Sequence, residues 1–433
     1  MKFITLLIVP ALLLTACGTK KQSITTNDDD VGRIISTLSA DNMQGRSAST
    51  AGMNTAATFI ESEFKEIGLQ PLPGENGFRQ TFNMQAIKHG VRQVTINNKL
   101  LDAEDVMVIS GKPNFEFDEK SGLEVIKLDK GQAIFNQYQA ILQREKPVIV
   151  FVNKAHTDAF KRLRERSLQD EFIEPGESRE QTAIFILGYE EPKTFSGSFK
   201  NETKLVPLYN VAGVLPGKSR EKEFVIFSAH YDHLGYLEPV NGDSIANGAD
   251  DDASGVTAVI SLAKHFKKLA NNERTLIFVA FTAEEIGGFG SQYFSSKLKP
   301  EDIITMFNIE MIGKDSKFGA NSAFITGFEK SDFGTILQKN LVGTQFKFYP
   351  DPYPEQNLFY RSDNATLAAL GVPAHTISTD KIDNDKYYHT VDDEFSTLNV
   401  QNIVSTIKAI ALASRTIVAG TDTPTRLTPL KEQ

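Results

Sequence analysis

Histidines and carboxylates in the second half of the chain lie where apolar segments end, which is a common position for metal ligands. His230 and Asp232 follow the apolar segment 224–229. Residues i and i+2 of an extended chain project to the same side, so Asp232 can accept a proton from one ring nitrogen of His230 and leave the other nitrogen free for a metal. Such a pair on its own is more often a hydrogen-bonded surface pair, so its interpretation depends on its neighbours.

Three consecutive acidic residues, Asp250, Asp251 and Asp252, occupy a glycine-flanked turn that runs directly into a helical segment. One acidic residue at a helix start would act as a cap and complement the helix dipole. Three in succession exceed that need, and closely packed carboxylates raise one another's pKa unless a cation neutralises them. The turn therefore favours a bound metal, and its composition leaves open which aspartate binds it.

Further carboxylates and a second imidazole complete the candidate set. Glu284 and Glu285 follow the apolar segment 276–281, and adjacent residues leaving a strand point in different directions. One of the two can then bind metal while the other acts as a general base. Glu310 is a lone carboxylate in an otherwise apolar segment, where an unpaired charge would be costly, and His389 follows an acidic loop.

The remaining histidines are less informative. Three of them lie in segments without acidic clusters, and we interpret them as bystanders: His89, His156 and His265. The roles of His233 and His375 stay open, although the odd offset between His230 and His233 predicts side chains that point in opposite directions.

Alternating strand and helix patterns from residue 223 onward predict an α/β domain, with a mostly parallel, twisted sheet and helices on both faces. Short apolar runs predict strands, and longer segments with helical spacing predict helices. The main strands are expected at 224–229, 275–282, 303–312 and 374–379, and the main helices at 254–269, 290–298 and 400–418. Ligands of such sheets bind outside the carboxyl ends of the strands, where the polar groups lie.

The chain divides into segments by composition and periodicity. We expect a signal peptide at 1–16, a flexible polar tether at 17–30, one discontinuous α/β domain at 31–93 and 206–420, an inserted smaller α+β domain at 94–205, and a C-terminal tail at 421–433. The inserted domain carries no chemical motif. The polar residues with possible chemistry therefore all belong to the discontinuous domain.

The N-terminus resembles the export signal of bacterial lipoproteins. Lys2 precedes an apolar run that is too short to span a bilayer comfortably, and the sequence that ends at Cys17 resembles a lipobox. We expect lipidation of Cys17, a membrane anchor, and a location in the cell envelope, on the periplasmic side or at the cell surface. Cys17 is also the only cysteine, so we expect neither an internal disulfide nor a catalytic thiol.

The overall composition excludes one class of partner. A net charge of -9 and a sequence pI of about 5.5 argue against nucleic acid, because phosphate binding needs clustered lysines and arginines. Hydrophobic residues make up 40% of the chain and charged residues 23%, which is typical of a globular protein with a sizeable core.

Together the motifs resemble those of the M28 family of zinc aminopeptidases and carboxypeptidases, which share an HxD pair, a GADDDASG-type turn, an EE pair, an N-x-D-M sequence and a late histidine. The inserted domain resembles a protease-associated module only loosely. The resemblance implies two Zn²⁺ ions per chain, with peptides as substrates. The implied ligands are His230 and Glu310 for one ion, Glu285 and His389 for the other, and Asp251 as the bridge.

The resemblance also implies roles for three further side chains. Asp232 would orient His230, and Glu284 would be the general base for a water that cleaves N-terminal residues from peptides. Tyr388 is a candidate hydrogen-bond donor to the oxyanion, and a packing role is equally consistent with its position. Glu310 stands where the family commonly has Asp, and the longer arm keeps the charge but leaves the metal identity open.

Three alternative functions share parts of this pattern. A carboxypeptidase of the same family would need a basic pocket, for which Arg361 is a candidate. A glutaminyl-cyclase-like enzyme would bind a single zinc and use a tryptophan-lined pocket, and the chain has no Trp. A non-catalytic binding module of the cell envelope predicts a broken ligand set, whereas every ligand position here is filled.

Overall fold

The computed structural model describes residues 26–48, 50–168, 171–177, 181–189 and 192–430 of the chain. The expected signal peptide, Cys17 and most of the expected tether lie outside these residues. The last three positions of the expected tether belong to a helix instead, because the Asn27 side chain caps its start by accepting the N–H of Asp30 at 2.8 Å. Across the described ranges, no helix combines the length and apolarity that crossing a bilayer requires.

The described residues form strands and helices that we number in chain order. The strands are β1 Arg79–Ile96, β2 Lys99–Leu100, β3 Val106–Ser110, β4 Asn114–Asp118, β5 Glu124–Leu128, β6 Val148–Val152, β7 Glu171–Ile173, β8 Thr182–Leu187, β9 Phe195–Leu215, β10 Arg220–His230, β11 Gly235–Val240, β12 Asp243–Ala246, β13 Arg274–Phe281, β14 Ile303–Ile309, β15 Ser322–Ile325, β16 Lys347–Pro350 and β17 Ala374–Ser378. The helices are α1 Asp28–Leu38, α2 Ala51–Ile67, α3 Ile134–Leu142, α4 Thr157–Ser167, α5 Gly255–Leu269, α6 Phe289–Ser296, α7 Phe333–Asn340, α8 Asn364–Ala369, α9 Val400–Ala413 and α10 Arg415–Val418.

The central sheet has the order β16-β15-β17-β14-β10-β13-β9-β1-β2. Its middle, β13-β10-β14-β17, is parallel, whereas β9 runs antiparallel to both β13 and β1, and β15 runs antiparallel to β17. The α/β class is thus confirmed, but the expectation of a mostly parallel sheet was wrong, since the sheet is mixed. Antiparallel neighbours need no crossover helix, so strands outside the βα repeat extend the sheet in both directions.

Helices cover both faces of this sheet, and the alternation of β10 shows how. Val225 and Phe227 pack in a core with apolar residues of α1, α2, α5, α7 and α9. Ile226 points the other way, into a second core that includes Phe294 of α6 and Leu367 of α8. Burial on both sides explains the continuously apolar sequence of β10.

The segment between β1 and β9 folds around cores of its own. Its sheet has the order β3-β8-β6-β5, with α3 and α4 packed against it. Both expected boundaries, at 93/94 and 205/206, fall inside continuous strands, because β1 and β9 pair along nearly their whole lengths. The two long strands therefore lead from the central sheet directly into the inserted segment.

The expected C-terminal tail packs against the domain as far as the structure describes it. Leu427 is buried in the second core, and Arg274 at the start of β13 donates to the backbone oxygen of Asp422 and to the hydroxyl of Thr423. These contacts make residues 421–430 part of the folded domain.

Candidate metal centre

The candidate site lies at the carboxyl ends of the three central parallel strands. His230 is the last residue of β10, Glu284 and Glu285 lie in the turn after β13, and Glu310 directly follows β14. Glu310 was expected inside a strand, but β14 ends at Ile309, so its carboxylate does not interrupt the apolar strand. Parallel neighbours bring these ends to one edge, where a pocket of about 340 Å³ opens.

The inner ligand group consists of His230, Asp251 and Glu310. His230 Nε2 lies 3.2 Å from Asp251 Oδ1 and 3.6 Å from Glu310 Oε1. This nitrogen is buried and has no hydrogen-bond partner, although carboxylate oxygens face it from two sides. An imidazole lone pair and two carboxylates converging on one point form a donor set that suits Zn²⁺.

The outer ligand group consists of Asp251, Glu285 and His389. His389 Nε2 lies 3.3 Å from both Asp251 Oδ2 and Glu285 Oε2. Asp251 therefore presents one carboxylate oxygen to each group, which is the position of a bridging ligand. The five side chains expected as zinc ligands all meet here, although Asp251 and His389 are far apart in the sequence.

His233 also belongs to this site, against the expectation that it points away from His230. Its Nδ1 lies 2.8 Å from Glu285 Oε1 and 3.8 Å from Asp251 Oδ2. The alternation rule failed because β10 ends at His230, and the period of two holds only within a strand. Two histidines within four residues at a strand end were the available signal. The outer group thus has two imidazoles, His233 and His389, beside Glu285.

Asp232 holds the site in a different way from the one expected. Its carboxylate lies 4.0 Å from His230 Nδ1, whereas its backbone carbonyl oxygen is only 3.1 Å from that nitrogen. The carboxylate instead accepts the backbone N–H groups of Glu284 at 3.1 Å and Glu285 at 3.2 Å. Burial raises the pKa of Asp232 to about 6. Asp232 therefore fixes the turn from which both glutamates project.

The three aspartates of the acidic turn have separate contacts. Asp252 accepts the backbone N–H groups of Gly255 at 2.9 Å and Met311 at 3.1 Å. Asp250 accepts the N–H of Gly313 at 2.6 Å. Asp251 faces the histidine ring nitrogens, whereas Asp250 and Asp252 accept backbone N–H groups and so connect the turn with the chain after β14.

A buried arginine and a late aspartate support this turn from behind. The Arg46 guanidinium is fully buried and donates to the backbone oxygens of Tyr231 at 2.7 Å and Gly248 at 2.8 Å. The Asp393 carboxylate accepts the N–H of Asp251 at 3.0 Å. Neither residue carries a local sequence signal for this role, because the groups of the ligand loops that it contacts lie more than 140 positions away.

The carboxylates of the site differ in the direction in which their pKa is shifted. Burial would raise the pKa of Asp251, but the adjacent imidazoles of His230 and His389 outweigh it and hold that pKa well below its usual range. Glu285 is likewise held at a pKa of about 2 by its histidine partners. Burial and neighbouring carboxylates raise the pKa of Glu284 well above its ordinary value. The carboxylates whose pKa is lowered face the imidazoles, and Glu284, whose pKa is raised, lines the pocket.

Of the other side chains singled out in the sequence, some line the pocket and one is buried in the sheet. Tyr388 and Arg361 line the pocket, and the Tyr388 ring stacks on His389 with centroids 3.9 Å apart. His375 is buried in β17, where Nδ1 contacts the Thr326 carbonyl oxygen at 2.8 Å. His375 therefore has a structural position, which the sequence had left open.

An α/β fold with two convergent groups of imidazoles and carboxylates at the carboxyl ends of its strands is suited to metal-dependent hydrolysis. The model of Peptidase family M28 matches residues 210–414, the segment that contains every candidate ligand. This confirms the family resemblance of the motifs over that segment.

Solved structures share this architecture. An aminopeptidase from Aneurinibacillus sp. strain AM-1 superposes with a TM-score of 0.59 at 18% identity, covering 94% of this chain and 96% of the other. A zinc aminopeptidase from Bacillus subtilis superposes with a TM-score of 0.60 at 16% identity, covering 92% and 96%. At these identities the likeness shows a common fold.

Curated relatives match shorter stretches. A probable leucine aminopeptidase of Trichophyton verrucosum is 28% identical over 208 residues, which are 46% of this chain and 54% of the relative. Aminopeptidase YwaD of Bacillus subtilis is 27% identical over 120 residues, 27% and 23% of the two chains. The chain thus spans about half the length of the first relative and less of the second. Together the matches show that residues 210–414 are similar to Peptidase family M28 and that the fold is shared with zinc aminopeptidases.

Proposed function

We propose that this protein is a zinc-dependent exopeptidase that removes N-terminal residues from peptides. One observation carries the proposal: the two oxygens of Asp251 face two separate sets of imidazole and carboxylate groups. Such an arrangement is suited to two cations that share a bridging carboxylate. The similarity to proteins named aminopeptidases favours cleavage at the N-terminus.

The proposed zinc ligands are the two groups defined above. His230 and Glu310 would hold one ion, Glu285 and His389 the other, with Asp251 shared. Zn²⁺ would supply Lewis-acid polarisation of the peptide carbonyl and a lower pKa for a bound water. His233, which contacts Glu285, would hold that carboxylate in place or take part in the outer group.

The protein side chains would then transfer the proton and stabilise the developing negative charge. Glu284 lines the pocket and has the raised proton affinity of a general base, so it would take the proton of the attacking water and return it to the leaving amine. Asp232 would aim Glu284 through its backbone N–H. Tyr388, on the pocket wall beside His389, would donate a hydrogen bond to the oxyanion.

The variant Glu284→Gln tests this assignment, because it keeps the shape but cannot take a proton. We expect hydrolysis of leucine p-nitroanilide to fall about 10²- to 10⁴-fold while the zinc content stays that of the wild type. Glu329→Gln, an exposed substitution outside the pocket, is the matched control. Activity close to wild type in Glu284→Gln would remove the base assignment, and a wild-type protein that cleaves only N-acetylated peptides would point to a carboxypeptidase.

We further propose that the protein is anchored in the cell envelope through a lipidated Cys17. The support is the lipobox-like sequence, and residues 18–27 would then link the lipid to α1. Cys17→Ser should move the protein from the membrane fraction to the soluble fraction of a lysed cell. Sedimentation of the variant with membranes would count against the anchor.

A further inference from the structure

Arg361 stands on the wall of the pocket that contains the candidate catalytic groups. Its side chain is exposed, and within the described ranges its guanidinium forms no side-chain hydrogen bond and no ion pair within 4.0 Å. The contact of this residue is a backbone one, from its N–H to the Leu358 oxygen at 3.1 Å. An arginine with five N–H donors and no partner is available for a ligand.

A buried polar network fixes the turn that carries Arg361. Asn308 of β14 accepts the Ser228 hydroxyl at 2.8 Å and donates to the Ser362 hydroxyl oxygen at 2.7 Å. Asn364 donates to the Phe359 oxygen at 2.9 Å and accepts the Thr376 hydroxyl at 2.9 Å. The chain on both sides of Arg361 is thus tied to the central sheet, through Ser362 to β14 and through Asn364 to β17. Strand β14 ends directly before Glu310.

Arg361 differs in charge from the acidic residues that line the same pocket. The lining includes the carboxylates of Asp251, Glu284, Glu285, Glu310 and Asp380. Among the described lining residues, Arg361 is the one lysine or arginine. The carboxylates of the centre face imidazoles or the pocket, so none of them forms an ion pair with this guanidinium. A planar guanidinium matches a carboxylate with two parallel hydrogen bonds.

Resting on the proposed peptidase function, we propose that Arg361 forms a subsite for a carboxylate of the substrate. Because the guanidinium and Glu284 line the same pocket of about 340 Å³, the recognised carboxylate belongs to a residue next to the cleaved bond. That carboxylate is the C-terminus of a dipeptide or an acidic side chain. Apolar walls formed by Phe324, Leu358 and Ile382 hold the rest of a short peptide.

Three substrates with a free N-terminus separate these sources: Leu-Leu, Leu-Leu-amide and Leu-Glu-amide. The full-length, zinc-supplied wild type is compared with Arg361→Gln, with Arg361→Lys, which keeps the charge without the planar fork, and with Lys347→Gln, an exposed substitution outside the pocket. We expect the wild type to prefer a carboxylate-bearing peptide over Leu-Leu-amide in kcat/KM. Arg361→Gln should reduce that preference on the order of tenfold, and Arg361→Lys should reduce it less.

The peptide whose kcat/KM relative to Leu-Leu-amide falls in Arg361→Gln identifies the source of the carboxylate. Ratios of kcat/KM that are the same in the wild type, Arg361→Gln and Lys347→Gln would overturn the subsite. Failure of the wild type to cleave any of the three peptides would instead refute the peptidase function. In that case calorimetric titration with Leu-Leu and Leu-Leu-amide tests the subsite through binding affinity. The subsite requires that Arg361→Gln binds Leu-Leu more weakly than the wild type does.

Discussion

The inner and outer ligand groups have the same chemistry but different supports. His230 ends a central strand and its side chain is 1% exposed, whereas His389 lies in a loop between β17 and α9 and is 37% exposed. The His230 ring is held by the Asp232 carbonyl, while the His389 ring rests on Tyr388. One ligand group is therefore built into the end of a sheet strand, whereas the other is completed by a loop residue.

Asp251 belongs to both groups, so its loss should have the largest effect. We expect Asp251→Asn to lose both zinc ions and to lower peptide hydrolysis to background, because each group loses its anionic bridge. Asp392→Asn, an exposed change near His389, is the control. Metal analysis after dialysis measures the outcome, and two zinc ions retained by Asp251→Asn would move the bridge to another residue.

Arg46 supports the loops behind the inner group. Arg46→Met keeps the approximate length of the side chain but removes its donors, so the buried carbonyl oxygens of Tyr231 and Gly248 each lose a hydrogen bond from a charged group. We expect the free energy of unfolding to fall by about 3 kcal/mol or more, since hydrogen bonds from charged groups contribute roughly 1.5–3 kcal/mol each.

Chemical denaturation of the metal-free protein measures the Arg46 effect. Arg162→Met, on the exposed face of α4, serves as the control. Equal stability of Arg46→Met and the control would show that the ligand loops hold their shape without this cation.

Single histidine substitutions test the asymmetry directly. We expect His389→Ala to lose about one of the two zinc ions and to keep its thermal stability, because an exposed ring leaves no cavity. His230→Ala should lose about one ion and also unfold at a lower temperature, because it removes a buried ring. Equal melting temperatures of the two metal-free variants would remove the distinction between the groups.

Substitution of Tyr388 should have the smallest effect on activity, and it tests what the loop beside His389 contributes. Tyr388→Phe keeps the stacking on His389 and removes the hydroxyl. We expect kcat to fall about tenfold with KM little changed, because one hydrogen bond of roughly 1.4 kcal/mol corresponds to a factor of ten. An unchanged kcat would assign Tyr388 to packing.

Local patterns predicted the elements of the site well. The apolar runs located β10, β13 and β14 within a few residues. Polar residues that follow buried strands are visible in a sequence because burial keeps the strands apolar. Placing Glu310 inside β14 was wrong by one residue, since strand ends depend on pairing with neighbours.

Non-local features escaped the sequence for a common reason. The mixed sheet depends on which strands pair, and the contacts of Asp232 and His233 depend on how the chain turns after β10. Arg46 reaches the ligand loops across 185 positions. Sequence periodicity reports on residues within one helix or strand, so it does not predict contacts over such separations.

The sequence by itself determined the residue types of the candidate metal centre and the strands that carry them, because local composition reflects burial and the chemistry of ligands. Only the tertiary structure decided that Asp251 faces both groups, that Asp232 holds the glutamate turn, and that Arg361 shares the pocket. Those relations arise from strand pairing and loop packing, in which residues far apart in the chain become neighbours.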